Sequence, residues 1–438
     1  MRIPVIFRSA GLLLFCASAA HALQPLEHFV DAARKSSFDA REATATERQH
    51  AEETTRAWSA LIPTLTTRAA YTRNEYPASS LVPANPSTGA TARSITIIPE
   101  DQFDAFLVLD VPLVDISKWE LVSAAKHAEA ATVKRGVQTG LELDKRVARA
   151  YFSVIGGEAL LQATDKSLRV ALQNHELVVN RQSAGLATDL DVRRASAEVE
   201  RAKQQAADAK YILVVTRRGL ETLTTVTPAE GAPSLSDDLH AEAPVHAFEE
   251  KTASLPSVLA AESDEKGAHA NVNAAWGALA PSLAANFTER FTNATGFAGQ
   301  SQLYAAGVTA TWRLDAGAWA GVKSLEAAET AASVRRERAM RAAKDQVFQA
   351  WAQVESLTAK ARASRSQVDA TDEAARLAHE RYTQGRATQL EVVQADRDAF
   401  DATVSRIQSD ADLAYARVWL RSASGDTLAA TSTKATNR

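Results

Sequence analysis

The sequence predicts a mainly helical chain that carries a small β-sheet and is built from two tandem repeats. Three observations predict it. The first is where proline falls. All thirteen prolines lie at or before Pro281, and none occurs in 113–227 or 282–438. Proline inside a helix removes a hydrogen bond and clashes with the preceding turn, so two long proline-free tracts rich in Ala, Glu, Arg, Lys and Gln are free to form very long helices. The second is internal repetition. Residues 177–195 (LVVNRQSAGLATDLDVRRA) align with 377–395 (LAHERYTQGRATQLEVVQA), and Trp58 to Leu65 (WSALIPTL) aligns with Trp276 to Leu283 (WGALAPSL). The third is a set of four short segments that alternate apolar and polar residues.

In chain order, residues 1–22 read as an export signal: Arg2 and Arg8 at the start, an apolar stretch from Ala10 to Ala17, and Ala20-His21-Ala22 as the small-x-small cleavage site. The only cysteine, Cys16, falls inside it, so a processed chain has no disulfide. Lipidation at Cys16 is disfavoured by bulky Phe15, which stands where a small residue is needed. The first repeat spans 23–223, with strands at about 64–76 and 103–113 and helices at about 117–183 and 188–223. A linker follows at 224–245, marked by Pro228, Gly231, Pro233 and Pro244. The second repeat spans 246–425, with strands at about 282–292 and 303–313 and helices at about 318–383 and 388–423. The polar residues 426–438 form a tail. Each repeat thus reads helix, strand, strand, helix, turn, helix.

The last helix of the first repeat shows a heptad seam: Val192, Ala195, Val199, Ala202, Ala206, Ala209, Leu213, Thr216, Leu220 and Leu223. Alternating steps of three and four place these residues on one side, and most are small enough for close helix packing. In the strands the apolar rows are Leu65, Ala69, Tyr71; Phe103, Ala105, Leu107, Leu109, Val111, Leu113; Leu283, Ala285, Phe287, Phe291; and Tyr304, Ala306, Val308, Ala310, Trp312. Each strand is about the ten residues of a tilted membrane crossing. Four strands cannot close a membrane barrel, which needs about eight, and an open edge in lipid leaves backbone groups unpaired. Strands that span lipid therefore require several chains to share one barrel. The loops at 77–100 and 293–301 then lie outside, because the other strand ends lead into helices.

The composition removes other classes. Lys and Arg total 49 against 53 Asp and Glu, a formal net charge of −4 that offers no polyanion-binding surface, so nucleic acid is not an expected partner. The nine histidines form no His-Glu-x-x-His pair, and no phosphate loop, dinucleotide glycine pattern or Gly-x-Ser-x-Gly elbow occurs. Catalytic residues, metal ligands and cofactors are expected to be none.

These features resemble the outer membrane efflux proteins, the TolC-like outer membrane factors. The resemblance rests on Leu-x-Pro-x-Leu at Leu61 and Leu279, on the strand-to-helix junctions at Asp115 and Asp315, and on the repeated Arg-(x3)-Gly-x-Ala-Thr-x-Leu-[Asp/Glu]-Val turns. It covers about 24–425. It implies a homotrimer whose twelve-stranded barrel continues into a long periplasmic helical barrel. It further implies a passive exit channel in outer-membrane lipid, working with a periplasmic adaptor and an inner-membrane transporter. The alternative is a periplasmic coiled-coil adaptor with no channel of its own.

The repeated turns carry the candidate site. Gly185 and Gly385 suit the left-handed conformation that ends a helix. Thr188 and Thr388 read as N-caps, with Asp191 and Glu391 at the third helical position of a capping box. The resemblance places these turns at a periplasmic aperture where the family carries two acids three residues apart. Glu391 matches the first, Gln394 replaces the second, and Asp191 and Arg194 are the first-repeat counterparts. Gly185, Thr188, Gly385 and Thr388 are candidates for adaptor docking.

Overall fold

The structure is a computed structural model that describes residues 23–83, 91–231, 235, 237–313 and 316–426. The signal stretch with Cys16, Pro86 of the first outer loop, Pro233 of the linker, the junction at Asp315 and the tail beyond Asp426 lie outside the described residues.

Two helices open the chain, α1 (Leu26–Ser36) and α2 (Phe38–Ser59). Strands β1 (Thr64–Arg73), β2 (Ala78–Val82), β3 (Arg93–Ile98) and β4 (Asp101–Val114) follow. Next come the long α3 (Ile116–Ser183) and α4 (Asp189–Thr224). The linker leads to α5 (Val245–Glu249), a 3-10 turn and α6 (Pro256–Gly277). Strands β5 (Ser282–Thr292) and β6 (Gln302–Thr311) then precede α7 (Ala316–Thr383) and α8 (Gln389–Ala423). Both α3 and α7 have 68 residues, roughly 100 Å at 1.5 Å per residue.

Strands β1, β4, β5 and β6 form one antiparallel sheet in the order β1-β4-β5-β6. Its register sets Leu65 opposite Leu109, Tyr71 opposite Phe103, Leu109 opposite Phe287 and Ala285 opposite Val308. Directly opposed residues share a face, so the four apolar rows fall on one side of the sheet. Among the described residues no helix packs across that side: Leu65, Tyr71, Phe103, Tyr304 and Val308 are all exposed in the single chain. The other side carries cross-strand polar pairs, Arg290 with Asp104 at 2.6 Å and Asn286 with Asp110 at 2.6 Å. Glu289 interrupts the apolar row of β5, where Gln302 donates to it. Pro112 lies inside the central strand β4 at a register shift between Pro112 and Val114, where a missing donor is tolerated.

The long outer loop differs from expectation. It holds the β2–β3 ribbon, because its prolines bracket the strands instead of interrupting them and Ile95, Thr96, Ile97 and Ile98 favour extended backbone. Strand β1 correspondingly stops at Arg73 rather than 76: the Asn74 amide turns to the Glu100 carbonyl at 2.7 Å.

The helices bury two main clusters. One joins Phe29 and Val30 of α1 to Val147, Tyr151 and Val154 of α3 and Leu213 and Leu220 of α4. The other joins Val347 and Val354 of α7 to Leu413 and Leu420 of α8. The heptad seam of α4 faces α3, with Ala195, Val199, Ala202, Ala209, Leu213 and Leu220 buried. The linker straps the second hairpin: Arg417 donates to Asp237 at 3.1 Å, and Arg365 donates to the Asp237 carbonyl at 2.8 Å. His240 and Asp238 adjoin this network, with His240 Nε2 2.8 Å from Arg417, so a guanidinium supplies the positive charge beside these acids.

Candidate functional site: the paired helix turns

Both long hairpins reverse through the same local chemistry. Gly185 and Gly385 each have φ of +72°, a left-handed conformation that costs glycine nothing. The Gly185 amide donates to the Gln182 carbonyl at 2.9 Å and the Leu186 amide to the Arg181 carbonyl at 2.8 Å. In the second turn Gly385 donates to Tyr382 at 3.0 Å and Arg386 to Arg381 at 2.8 Å. This paired pattern is the Schellman motif, and it satisfies carbonyls that the helix end leaves free.

Each turn then restarts a helix with a capping box. The Asp191 amide donates to Thr188 Oγ1 at 3.2 Å, while Asp191 Oδ2 accepts the Thr188 amide at 3.0 Å and its hydroxyl at 2.7 Å. The Glu391 amide donates to Thr388 Oγ1 at 3.3 Å, and Glu391 Oε2 accepts the Thr388 amide at 3.3 Å. The Thr188 hydroxyl and amide hold the Asp191 carboxyl below the usual carboxylate range, and Arg194 adds a smaller pull in the same direction. Glu391 and Gln394 stand one turn apart on α8 and are both exposed; Gln394 donates to Asp398 at 2.9 Å. Asp191 is half-buried and Arg194 is exposed.

The two turns are brought together. Val178 and Ala195 of the first hairpin form one buried cluster with Tyr382 and Val392 of the second. Arg181 Nη1 donates to the Tyr382 carbonyl at 3.0 Å, and its guanidinium lies 4.6 Å from the centre of the Tyr382 ring. Burial pushes the Tyr382 phenol up, a shift that nearby Asp191 reinforces and Arg181 opposes. Gln389, the first residue of α8, is also buried. Arg181, Tyr382 and Gln389 were not among the sequence-predicted site residues. The available signal was an arginine four residues before each glycine, but Arg381 is exposed and only Arg181 reaches the other turn.

Behind the tips, a cleft of about 360 Å3 separates the hairpins and is lined by Asn174, Glu198, Arg376, His379, Asp396 and Arg397. Arg397 bridges α8 to Glu198 of α4 through Nε at 2.9 Å. His379 joins Asp396 at 2.8 Å, and that bond raises the imidazole above its ordinary value.

At the opposite ends of the helices, Trp58 meets Trp119 edge to face at 5.6 Å and Trp276 meets Trp319 at 5.4 Å. All four remain partly exposed just beneath the strands. Trp312 is exposed and donates to the Leu279 carbonyl at 2.9 Å. Among the described residues, no helix is long and apolar enough to cross a membrane.

The outer membrane efflux protein family matches residues 29–225 and 249–426. Outer membrane protein OprJ of Pseudomonas aeruginosa is 27% identical over 353 residues, covering 77% of this chain and 71% of that protein. The toluene efflux pump outer membrane protein TtgC of Pseudomonas putida is 26% identical over 277 residues, covering 60% of this chain and 56% of that protein. The fold is shared with the open-state MtrE outer membrane channel of Neisseria gonorrhoeae, with a TM-score of 0.74 at 22% identity over 93% of this chain and 90% of that one. The family consists of efflux channels rather than enzymes and resides in the outer membrane with a periplasmic portion. With the match covering most of both repeats, the chain belongs to the outer membrane efflux protein family.

Proposed function

We propose that three copies of this chain close a twelve-stranded barrel in the outer membrane and continue it as a helical conduit through the periplasm. The observation that carries the reading is the sheet itself. Among the described residues no helix covers its apolar face, and its edge strands β1 and β6 each lack a neighbour on one side. In lipid such edges must be paired, and pairing β6 of one chain with β1 of the next supplies every missing partner. A periplasmic adaptor gives the apolar face no surface to cover.

The conduit is passive, and export is energised by an inner-membrane transporter coupled through a periplasmic adaptor, as in a tripartite efflux or type I secretion system. Glu391, with Gln394, Asp191 and Arg194, rings the periplasmic aperture. Gly185, Thr188, Gly385 and Thr388 present the turns to the adaptor. Exposure of Glu391 and Gln394 on α8 supports this placement.

Two measurements test it. Outer-membrane fractions should yield heat-resistant oligomers of three chains, and release of a monomer by osmotic shock alone would overturn the channel. In planar bilayers, Glu391→Ala should change single-channel conductance or its cation sensitivity without loss of assembly. An unchanged conductance with lower thermal stability would leave Glu391 only its capping role.

A further inference from the structure

The way the two repeats meet inside one chain indicates how one chain meets the next. Below the sheet, α2 packs on α3, α3 on α6 and α6 on α7, the same order as the strands they adjoin. The outer members of this row are α2, which leads into edge strand β1, and α7, which follows edge strand β6. The pairs α2–α3 and α6–α7 are copies of each other: Trp58 on Trp119 is repeated as Trp276 on Trp319, with interplanar angles of 83° and 89°. These tryptophans set the correspondence at 218 residues between α2 and α6 and 200 between α3 and α7. The α3–α6 junction is therefore where the first repeat meets the second, and its counterpart is α7 against the α2 of another chain.

We infer that α7 docks on α2 of a second copy as α3 docks on α6, with Ala316 and Ala327 seated against Ser59 and Gln49 of that copy. The argument is one of size. At the inner junction α6 contributes glycine and α3 the larger residue. A Cβ on Gly277 would lie 2.9 Å from Ile116 Cγ2, and one on Gly267 would lie 3.5 Å from the His127 Cβ. At the corresponding outer positions the sizes are exchanged: α2 carries Ser59 and Gln49, while α7 carries Ala316 and Ala327. A close-packed contact tolerates added volume on one side when it is removed from the other. All four outer residues are exposed in the single chain. Ala124 and Ala131 of α3 are buried, whereas their α7 counterparts Ser324 and Ala331 are exposed. The ion pair of Arg135 with Asp264 also has a modified counterpart, Arg335 opposite Thr46, with exposed Glu42 one turn along α2. A second copy is the occupant because it extends the helix row and the strand row together, on the same two sides.

This inference rests on the trimer reading and specifies its interface. The test places Gln49→Cys and Ala327→Cys in one chain that also carries Cys16→Ala, and oxidises outer-membrane fractions. These positions lie at opposite ends of the helix row, so a bond between them must join two chains. Non-reducing gels should show a ladder reaching three chains, at least five-fold stronger than with Gln49→Cys and Ala328→Cys. A second measurement needs no cross-link. Ala327→His should cut the yield of heat-resistant oligomer at least ten-fold, and adding Gln49→Gly should restore it by recreating the His127–Gly267 pair. Heat-resistant oligomers with neither the ladder nor the rescue would overturn this docking and leave the trimer standing. A bond to some other protein would likewise overturn it, and unmutated chains that form no oligomer would overturn the trimer as well.

Discussion

The two hairpin tips share eight identical residues in nineteen and the same backbone, yet they are built to different firmness. In the first turn Asp191 accepts two bonds from Thr188, at 3.0 and 2.7 Å, and its carboxyl is held low. In the second, the Glu391 carboxylate accepts a single longer bond at 3.3 Å and stays exposed. Arg181 leaves its own turn to grip the other, whereas Arg381 faces solvent. The first turn therefore holds itself, and the second is held by the first. The same local signature sets the cap in both turns, while the neighbouring hairpin decides which tip depends on the other.

Five substitution series sharpen or break that contrast, read by native-state hydrogen exchange at the turn amides. Arg181→Ala should be the largest. Losing a charged hydrogen bond and a cation–π contact should destabilise the second turn by about 2 kcal/mol, with Arg381→Ala within about 0.5 kcal/mol of unchanged. Equal effects of the two would end the asymmetry. Gly185→Ala and Gly385→Ala should each cost about 1 to 2 kcal/mol, since both demand the same left-handed backbone, and unequal costs would show that more than backbone strain is involved.

The caps come next. Thr188→Ala and Thr388→Ala should each cost about 1 kcal/mol, with the first larger because Asp191 also loses a hydroxyl bond. Asp191 titrates lower folded than unfolded, so its contribution is present above about pH 4 and is lost as the pH falls through its depressed value. Acid should thus speed exchange in the first turn, and Asp191→Asn should remove that response. The smallest effect belongs to His379. Its value is raised by Asp396, so its contribution is full below about pH 6.5 and is lost as the pH rises through the raised value. His379→Gln should abolish this slope, worth about 0.5 kcal/mol for a partly exposed pair. A slope that persists would assign the response to another group.

Local chemistry was the part most legible from residues alone. Proline-free tracts and the Gly-x-x-Thr turns mark α3, α4, α7 and α8 because capping is decided by residues within one turn of the chain. The alternation of the strands was readable for the same reason, since side chains on a strand have period two. What escaped was settled across the fold. Nothing near Arg181 distinguishes it from Arg381 except the hairpin it faces. The burial of Gln389 and the exposure of its counterpart Asp189 follow from the same asymmetry. The β2–β3 ribbon escaped because prolines around a strand look like prolines within a loop.

The tryptophan pairs have an optical consequence. Four of the seven tryptophans meet edge to face where helices join strands, Trp312 lies at the end of the sheet, and Trp351 and Trp419 sit on the linker-strapped hairpin. None is at a tip. Indole fluorescence and the near-ultraviolet circular dichroism of the coupled rings therefore view the membrane end and the middle of the molecule while remaining dark to the turns. Any spectral change on altering a turn reports motion relayed along some 100 Å of helix.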